Sequence, residues 1–546
     1  MTGKIQKFSL GIGFLLVFIA LFLFWAIGFP HALSYQEQYQ LFLFTGDYFW
    51  ERISMPGGLA AYIGEFLTQF YYLEYVGAIL IASIAVGSQY FLYLFIKDHE
   101  KVDSCSAFLL SLIFPVLMTG LMGDENLLLS YFVSLLAILK SAYFFRNFSA
   151  YADILIIPIL YWGFGPMVWL YIVLRLGNCG WKYGLMAIYT IILQGMVYML
   201  FLPQTPLVEA VLGIYYYRIP LPLLQPVFPY VAPFILALTV YGSKVVAIFH
   251  PSVLKGCISL VIALAVGFYV YSSNPYNKEK YELIRQDYLV RLEKWDEIIH
   301  RAEQFQVKTP FFSNCVNLAL SQTGQLAEKQ FSFYQSGEDG LLMPSVQEMF
   351  SNLPTSEAFY RLGMINSALR YTFDLQESIL NGQKSGRFCK RLAECYLIKG
   401  NHKVAKKYID LLKKTLFYRK WAEAVDKYIG KDNMVMINPS WNTARRFQFK
   451  EDFLYHYPEI DKMLGQLFIN NTDNKMALDY FLGELLLKGN VNDFVQYLSW
   501  AQQYGGYKEM PKGYQDAMRA IQSKGQDLTS DYAKYINTKL RQNENK

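Results

Sequence analysis

The sequence predicts an all-α protein in two parts, a polytopic transmembrane helical domain followed by a soluble helical-repeat domain. Three observations carry that prediction. The first half holds a series of apolar runs of membrane-crossing length, charge density rises sharply after residue 273, and from there the apolar residues recur at helical spacing between polar breaks. Up to Ser273 there are 12 Lys/Arg and 12 Asp/Glu, and the remaining 38 and 32 fall in the second half. A chain of 546 residues is too long for one ordinary domain. The expected division is residues 1–273 and 274–511, with a polar, frayed tail over 512–546. The net charge of +6 belongs to the second half, where it reads as spread among acidic residues over a solvated surface, and nucleic acid is not an expected partner.

Lys4 and Lys7 precede the first apolar run, residues 8–30, whose length suits the roughly 20 residues needed to cross hydrocarbon. No small-x-small cleavage site follows, so it reads as a retained anchor. Further runs at 75–96, 105–122, 127–145, 185–202, 227–249 and 253–271 bring the total to seven spans. The stretch 151–176 is interrupted by Trp162-Gly163-Phe164-Gly165-Pro166, a break that suits two half-helices forming a re-entrant hairpin. Charge supports the hairpin. If it enters and leaves on one side, Lys97, Lys101, Lys140, Arg146, Arg175, Lys182, Lys244 and Lys255 all share a face with Lys4 and Lys7, as the positive-inside rule prefers. The opposite loops then hold mainly acids: Glu37, Asp47, Glu51, Glu65, Glu74, Asp124, Glu125 and Glu209. One straight span there would put Lys244 and Lys255 outside.

In the second half, Trp295, Ile298, Ala302 and Phe305 followed by Pro310 have the spacing of the second helix of a tetratricopeptide repeat and its terminal proline. Leu392-Ala393, Tyr396, Gly400 and Ala405 match more fully, and Phe481-Leu482, Leu485, Gly489, Val491 and Phe494 more loosely. These positions look like degenerate repeats of that family over most of 281–504, and imply a soluble tetratricopeptide-like α-solenoid with a concave groove for a protein partner. The six cysteines form no C-x-x-C pair and no zinc-like cluster, and read as small buried hydrophobes.

Motifs for phosphate cradling, zinc hydrolysis and serine esterases (G-x-x-x-x-G-K-[ST], H-E-x-x-H, G-x-S-x-G) are absent. What stands out is the long first loop. Tyr35, Tyr39, Phe42, Phe44, Tyr48, Phe49 and Trp50 suit a helix lying in the membrane interface, and Pro56-Gly57-Gly58 turns the chain into a second one through Tyr72. A first span, this loop with an acid near its start, a P-G-G turn and broken helices further on resemble the polyprenyl-phosphate-sugar-dependent glycosyltransferases of the GT-C class. Some lumenal mannosyltransferases of that class carry an external tetratricopeptide tail. The whole layout is also similar to a bacterial family of polytopic proteins.

The resemblance implies a multi-pass protein of the bacterial cytoplasmic membrane with its carboxyl-terminal domain in the periplasm, taking a sugar from a polyprenyl-phosphate donor. It implies a catalytic carboxylate at Glu37, with Asp47 second, and a divalent metal at Asp124 and Glu125. Adjacent carboxylates point in different directions, which departs from the D-x-D spacing of the class. Arg218, after Tyr215-Tyr216-Tyr217, is placed to pair with a lipid-linked phosphate. The competing readings are a non-enzymatic membrane-anchored scaffold whose repeats recruit envelope proteins, and a transporter, which the scarcity of charge within the spans disfavours.

Overall fold

The computed structural model describes every residue except 1, 101, 180, 219–227, 250–251, 347, 381, 450–456, 505, 524–528 and 545–546. Lys101, Val227 and residues 524–528 and 545–546 of the expected tail therefore lie outside the described residues. Among the described residues there is no β-strand, only one isolated antiparallel bridge between Leu127 and Tyr217. The chain forms two compact units, Met1–Asn277 with Lys414–Phe417, and Lys278–Lys413 with Tyr418–Lys546. The expected boundary at 273 moves to Asn277.

The first unit runs α1 (Thr2–Leu23, extended by a π-turn Phe24–Gly28), α2 (Pro30–Gln38), α3 (Gly46–Ile53), α4 (Gly58–Thr68), α5 (Val76–Glu100), α6 (Ser104–Ser111), α7 (Ile113–Leu121) and α8 (Leu129–Phe144). It continues with α9 (Asp153–Phe164), α10 (Val168–Cys179), α11 (Trp181–Phe201), α12 (Leu207–Leu212), α13 (Phe228–Ile248) and α14 (Ser252–Ser272). Among the described residues, eight segments are long and apolar enough to cross a membrane. Their outward faces are apolar, as Ile188, Met199 and Leu200 on α11 and Val261, Leu264 and Phe268 on α14 illustrate. Cys105 and Cys257, expected to be buried, are exposed on two of these segments, whereas Cys315, Cys389 and Cys395 are buried in the second unit.

The fifth segment, Asp153–Arg175, has the length and composition of a span, but its geometry is that of a hairpin. As one straight helix it would hold its ends about 33 Å apart. Instead Arg175 Nη2 lies 3.0 Å from Asp153 Oδ2, and the Tyr171 hydroxyl donates to Asp153 Oδ1 at 2.5 Å. The reversal follows from the local sequence. Gly165 has φ 63° and ψ −152°, a region closed to residues with a Cβ, and Pro166 supplies no amide to continue the helix. Each half is 12 residues, roughly 18 Å, too short to cross alone.

Both ends of the hairpin meet the end of α8, where Arg175 donates to the carbonyls of Arg146 and Phe148. Its tip meets the first loop and the chain before α13: the Gly57 amide donates to the Trp162 carbonyl at 2.8 Å, Trp162 Nε1 to the Ile53 carbonyl at 2.9 Å, and the Met167 amide to the Tyr216 hydroxyl at 3.3 Å. At the end of α14, the Tyr276 hydroxyl donates to the Thr119 carbonyl at 2.6 Å and its ring packs 4.4 Å from Phe29. The chain thus leaves the first unit on the face that carries the first loop.

The second unit is built from α15 (Lys278–Arg291), α16 (Trp295–Gln304), α17 (Pro310–Gln322), α18 (Leu326–Lys329), α19 (Leu353–Leu362), α20 (Ile365–Glu377), α21 (Gly386–Ile398), α22 (His402–Leu412) and α23 (Arg419–Asp426). Then come α24 (Asp432–Val435), α25 (Pro439–Phe447), α26 (Ile460–Asn470), α27 (Lys475–Lys488), α28 (Val491–Gln503), α29 (Lys512–Gln522) and α30 (Asp531–Glu544). Short links make the pairs α19–α20, α21–α22 and α26–α27 antiparallel neighbours. In the pair α21–α22 the turn is Gly400 at φ 77°, Asn401 caps α22 by accepting from the Val404 amide, and Leu392, Ala393 and Ala405 are fully buried. Later helices also fold back on earlier ones, since Asn474 Nδ2 donates to the Leu362 carbonyl at 2.9 Å. That closure departs from an open stack in which each repeat touches only its neighbours.

The expected frayed tail over 512–546 is corrected: α29 and α30 are formed and bury Tyr514, Ala517, Ala520, Tyr532 and Ala533. The tail is polar on average yet amphipathic, and Phe331 packs 4.9 Å from Tyr532.

Candidate functional site

The loop face of the first unit gathers the polar chemistry. Thr45 caps α3 by accepting from the Tyr48 amide, and Tyr48 and Arg52 then share one face at i and i+4. Across the Pro56-Gly57-Gly58 turn, α4 presents Glu65 to them. It packs tightly against α8 because Gly64 has no Cβ, an atom that would lie 2.7 Å from the Ser130 amide nitrogen. Glu65 Oε2 accepts from the Tyr48 hydroxyl at 2.5 Å and from Arg52 Nε at 3.0 Å, while Arg52 Nη1 reaches Glu51 at 3.1 Å. Burial and Glu65 push the Tyr48 phenol well up. Burial works against the Arg52 charge, but Glu65 and Tyr48 beside it hold the guanidinium protonated. Glu51 and Glu65 read in the sequence only as acids of the outer loop. The i, i+4 spacing of Tyr48 and Arg52 was the signal for this cluster.

A second cluster forms where the loop after α7 pairs with the chain before α13. The Leu128 amide donates to the Tyr216 carbonyl and the Arg218 amide to the Asn126 carbonyl, both at 2.9 Å. This short antiparallel pairing brings Arg218 beside Asp124 and Glu125. Arg218 is 2% exposed, and its guanidinium lies 4.8 Å from the Tyr39 ring and 5.6 Å from the Tyr35 ring. Burial pulls its pKa below the ordinary range, with Tyr35, Tyr39, Glu125 and Asp124 opposing. Burial and Asp124 likewise push the Tyr217 phenol up.

Of the residues singled out in the sequence, Arg218, Asp124 and Glu125 come together. Glu37 is buried on α2 between Tyr35 and Tyr39. Two residues along a helix turn its side chain by roughly 200°, to the opposite face from the one over Arg218. Asp47 is exposed in the first turn of α3, where a carboxylate favours the helix N-terminus. Among the described residues no group of three or more His, Cys, Asp or Glu side chains is arranged to hold a metal ion. Asp124 and Glu125 have a guanidinium, not a third carboxylate, as their charged neighbour.

Fold and site together define a polytopic, all-helical membrane protein with a polar cluster on one face of its spans and a second helical unit behind them in sequence. Residues 4–544 match a family described as one of unknown function, DUF6057, and the chain belongs to that family. No curated protein and no solved structure matches it.

Proposed function

We propose that this protein is a GT-C-like membrane glycosyltransferase, which moves a sugar from a polyprenyl-phosphate donor to a hydroxyl acceptor at the outer face of the bacterial cytoplasmic membrane. The observation that carries the reading is the buried Arg218, set beside Asp124 and Glu125 and roofed by Tyr35 and Tyr39 on the loop face. As the bond from the anomeric carbon to the phosphate oxygen breaks, charge develops on the departing lipid phosphate, and a guanidinium in a water-poor site is worth more there than in water. The acceptor's proton passes to a carboxylate as the new bond forms. Resemblance gives that role to Glu37; position gives it to Asp124, which lies on the Arg218 side of α2. Asp124 and Glu125 have the Arg218 guanidinium beside them, and no step is routed through a metal. The tetratricopeptide-like second unit serves acceptor or partner binding.

The test is release of lipid phosphate by purified protein scanned against polyprenyl-phosphate sugars. Arg218→Ala is expected to lose about 10²- to 10³-fold. Whichever of Glu37→Gln and Asp124→Asn loses about 10²- to 10⁴-fold marks the base. Consumption of no donor would move the protein to the anchored-scaffold reading.

Orientation follows from charge, because the face opposite the first loop carries Lys97, Lys140, Arg146 and Lys244. Reporter fusions after Tyr276 are expected to activate a periplasmic reporter and silence a cytoplasmic one. The reverse pattern sinks the assignment.

A further inference from the structure

We propose that the α22–α23 surface of the second unit binds anionic lipid headgroups of a bilayer, independently of the sugar-transfer reading. Residues 399–432 contain ten Lys/Arg and four Asp/Glu, a net +6 equal to that of the whole chain. The excess of basic over acidic residues in the second half is thus concentrated in this segment. No unbroken basic run marks the segment, because apolar residues alternate with the lysines at helical spacing. Folding then collects the lysines: Lys403 and Lys407 lie one turn apart on one face of α22, Lys399 stands at the end of α21 just before the turn, and all three are exposed.

The acids of the segment are largely used up within it. Asp410 takes Lys406 at 2.8 Å, Asp426 takes Lys406 at 2.9 Å and Lys413 at 2.5 Å, and Asp432 takes Arg445 at 3.2 Å. Among the described residues, Lys403, Lys407, Lys420, Lys427 and Lys431 enter no ion pair, and all five are exposed. What is left outward is a positive surface on which Glu423 is, among the described residues between Lys399 and Lys431, the exposed acid outside an ion pair.

A bilayer is singled out among anionic surfaces by the link between the two helices. Lys414–Phe417 fold with the membrane-spanning unit, and Leu416 within that link is 44% exposed. A basic surface carrying an exposed apolar residue, continuous in the chain with the membrane unit, is suited to headgroups within a Debye length. Each basic residue at an anionic membrane surface favours association by about fivefold.

The experiment uses the full chain in lipid nanodiscs of phosphatidylcholine alone or with phosphatidylglycerol, read by hydrogen exchange. Amides of α22 and α23 are expected to exchange at least about tenfold more slowly in the anionic discs, an effect lost at about 0.5 M salt. Lys403→Glu with Lys407→Glu and Lys420→Glu is expected to abolish the difference. The exchange of α27 reports whether that variant is folded, and Lys403→Glu alone is the milder substitute. Equal exchange in both discs overturns the proposal. Protection by a soluble polyanion such as heparin with no response to phosphatidylglycerol overturns it too, and assigns the surface to a soluble acidic partner.

Discussion

Asp153→Ala is expected to destabilise the membrane unit by about 3–5 kcal/mol, the cost of stranding one partner of a buried ion pair. Asp153 and Arg175 are 0% and 1% exposed. Asp153 accepts from both Arg175 and Tyr171, so its removal leaves a guanidinium where water does not reach. The neighbouring pair Arg146–Asp98, at 3.3 Å, sets the contrast. Its side chains are 32% and 40% exposed, and Asp98→Ala should cost under about 1 kcal/mol. Thermal unfolding in detergent separates the two. A cysteine placed at the hairpin base and probed with a membrane-impermeant reagent then shows whether α9 and α10 still enter and leave together. Replacing the pair by Leu at 153 and Met at 175 is expected to restore much of the loss, since a packed apolar pair does without both desolvation and pairing. An Asp153→Ala protein as stable as the parent would mean that the hairpin does not depend on this pair.

The hairpin was legible because its causes are local. Gly165 and Pro166 break a helix wherever they stand, and the basic residues at 146 and 175 belong on one side of a membrane whatever packs around them. The carboxylate that joins the two ends, Asp153, was visible only as a charge near one end of a span, because its partner lies 22 residues on and meets it only after the chain reverses. Arg218 was legible as a cation following Tyr215-Tyr216-Tyr217, and its neighbours Asp124 and Glu125 as a loop acid pair. That they meet depends on the pairing of 126–128 with 216–218, which involves backbone and leaves no side-chain signature. The Tyr48–Glu65–Arg52 cluster was missed for a related reason. Glu65 sits in a helix of apolar and small residues, and nothing in that helix says which element will satisfy it. Average composition also misled, at the tail, where Tyr514, Ala517 and Tyr532 are few among polar neighbours but fall on buried faces.

The second unit should lose stability as pH rises from mildly acidic to mildly alkaline, through two carboxylic acids on α27. Burial pushes Glu484 up to about 8, with Glu338, Asp461 and Asp339 adding to the rise and Lys488 opposing it. Burial pushes Asp479 up to about 6, although the Tyr507 hydroxyl donates to it at 2.5 Å and favours its charged form. The unfolded chain gives up both protons near the ordinary carboxylate range, whereas the folded chain keeps them longer. The folded state therefore binds more protons over the interval between, and their contribution is complete below about pH 4 and lost as pH climbs through about 6 for Asp479 and about 8 for Glu484. While one such proton is held by the folded state alone, stability falls by up to about 1.4 kcal/mol per pH unit. Glu357 has the opposite sign, held low by Arg391 and Arg361 against its burial, so its contribution is lost on acidification and the stability maximum falls between the two ranges. Melting of the full chain followed from pH 5 to pH 8.5 is expected to show a falling midpoint for the second unit. Glu484→Gln, which keeps the shape and cannot ionise, should flatten the upper part of that fall, and Asp479→Asn the lower part. If the Glu484→Gln protein falls as steeply as the parent between pH 6.5 and pH 8.5, Glu484 is already ionised in the folded state and Lys488, 3.8 Å away, outweighs its burial.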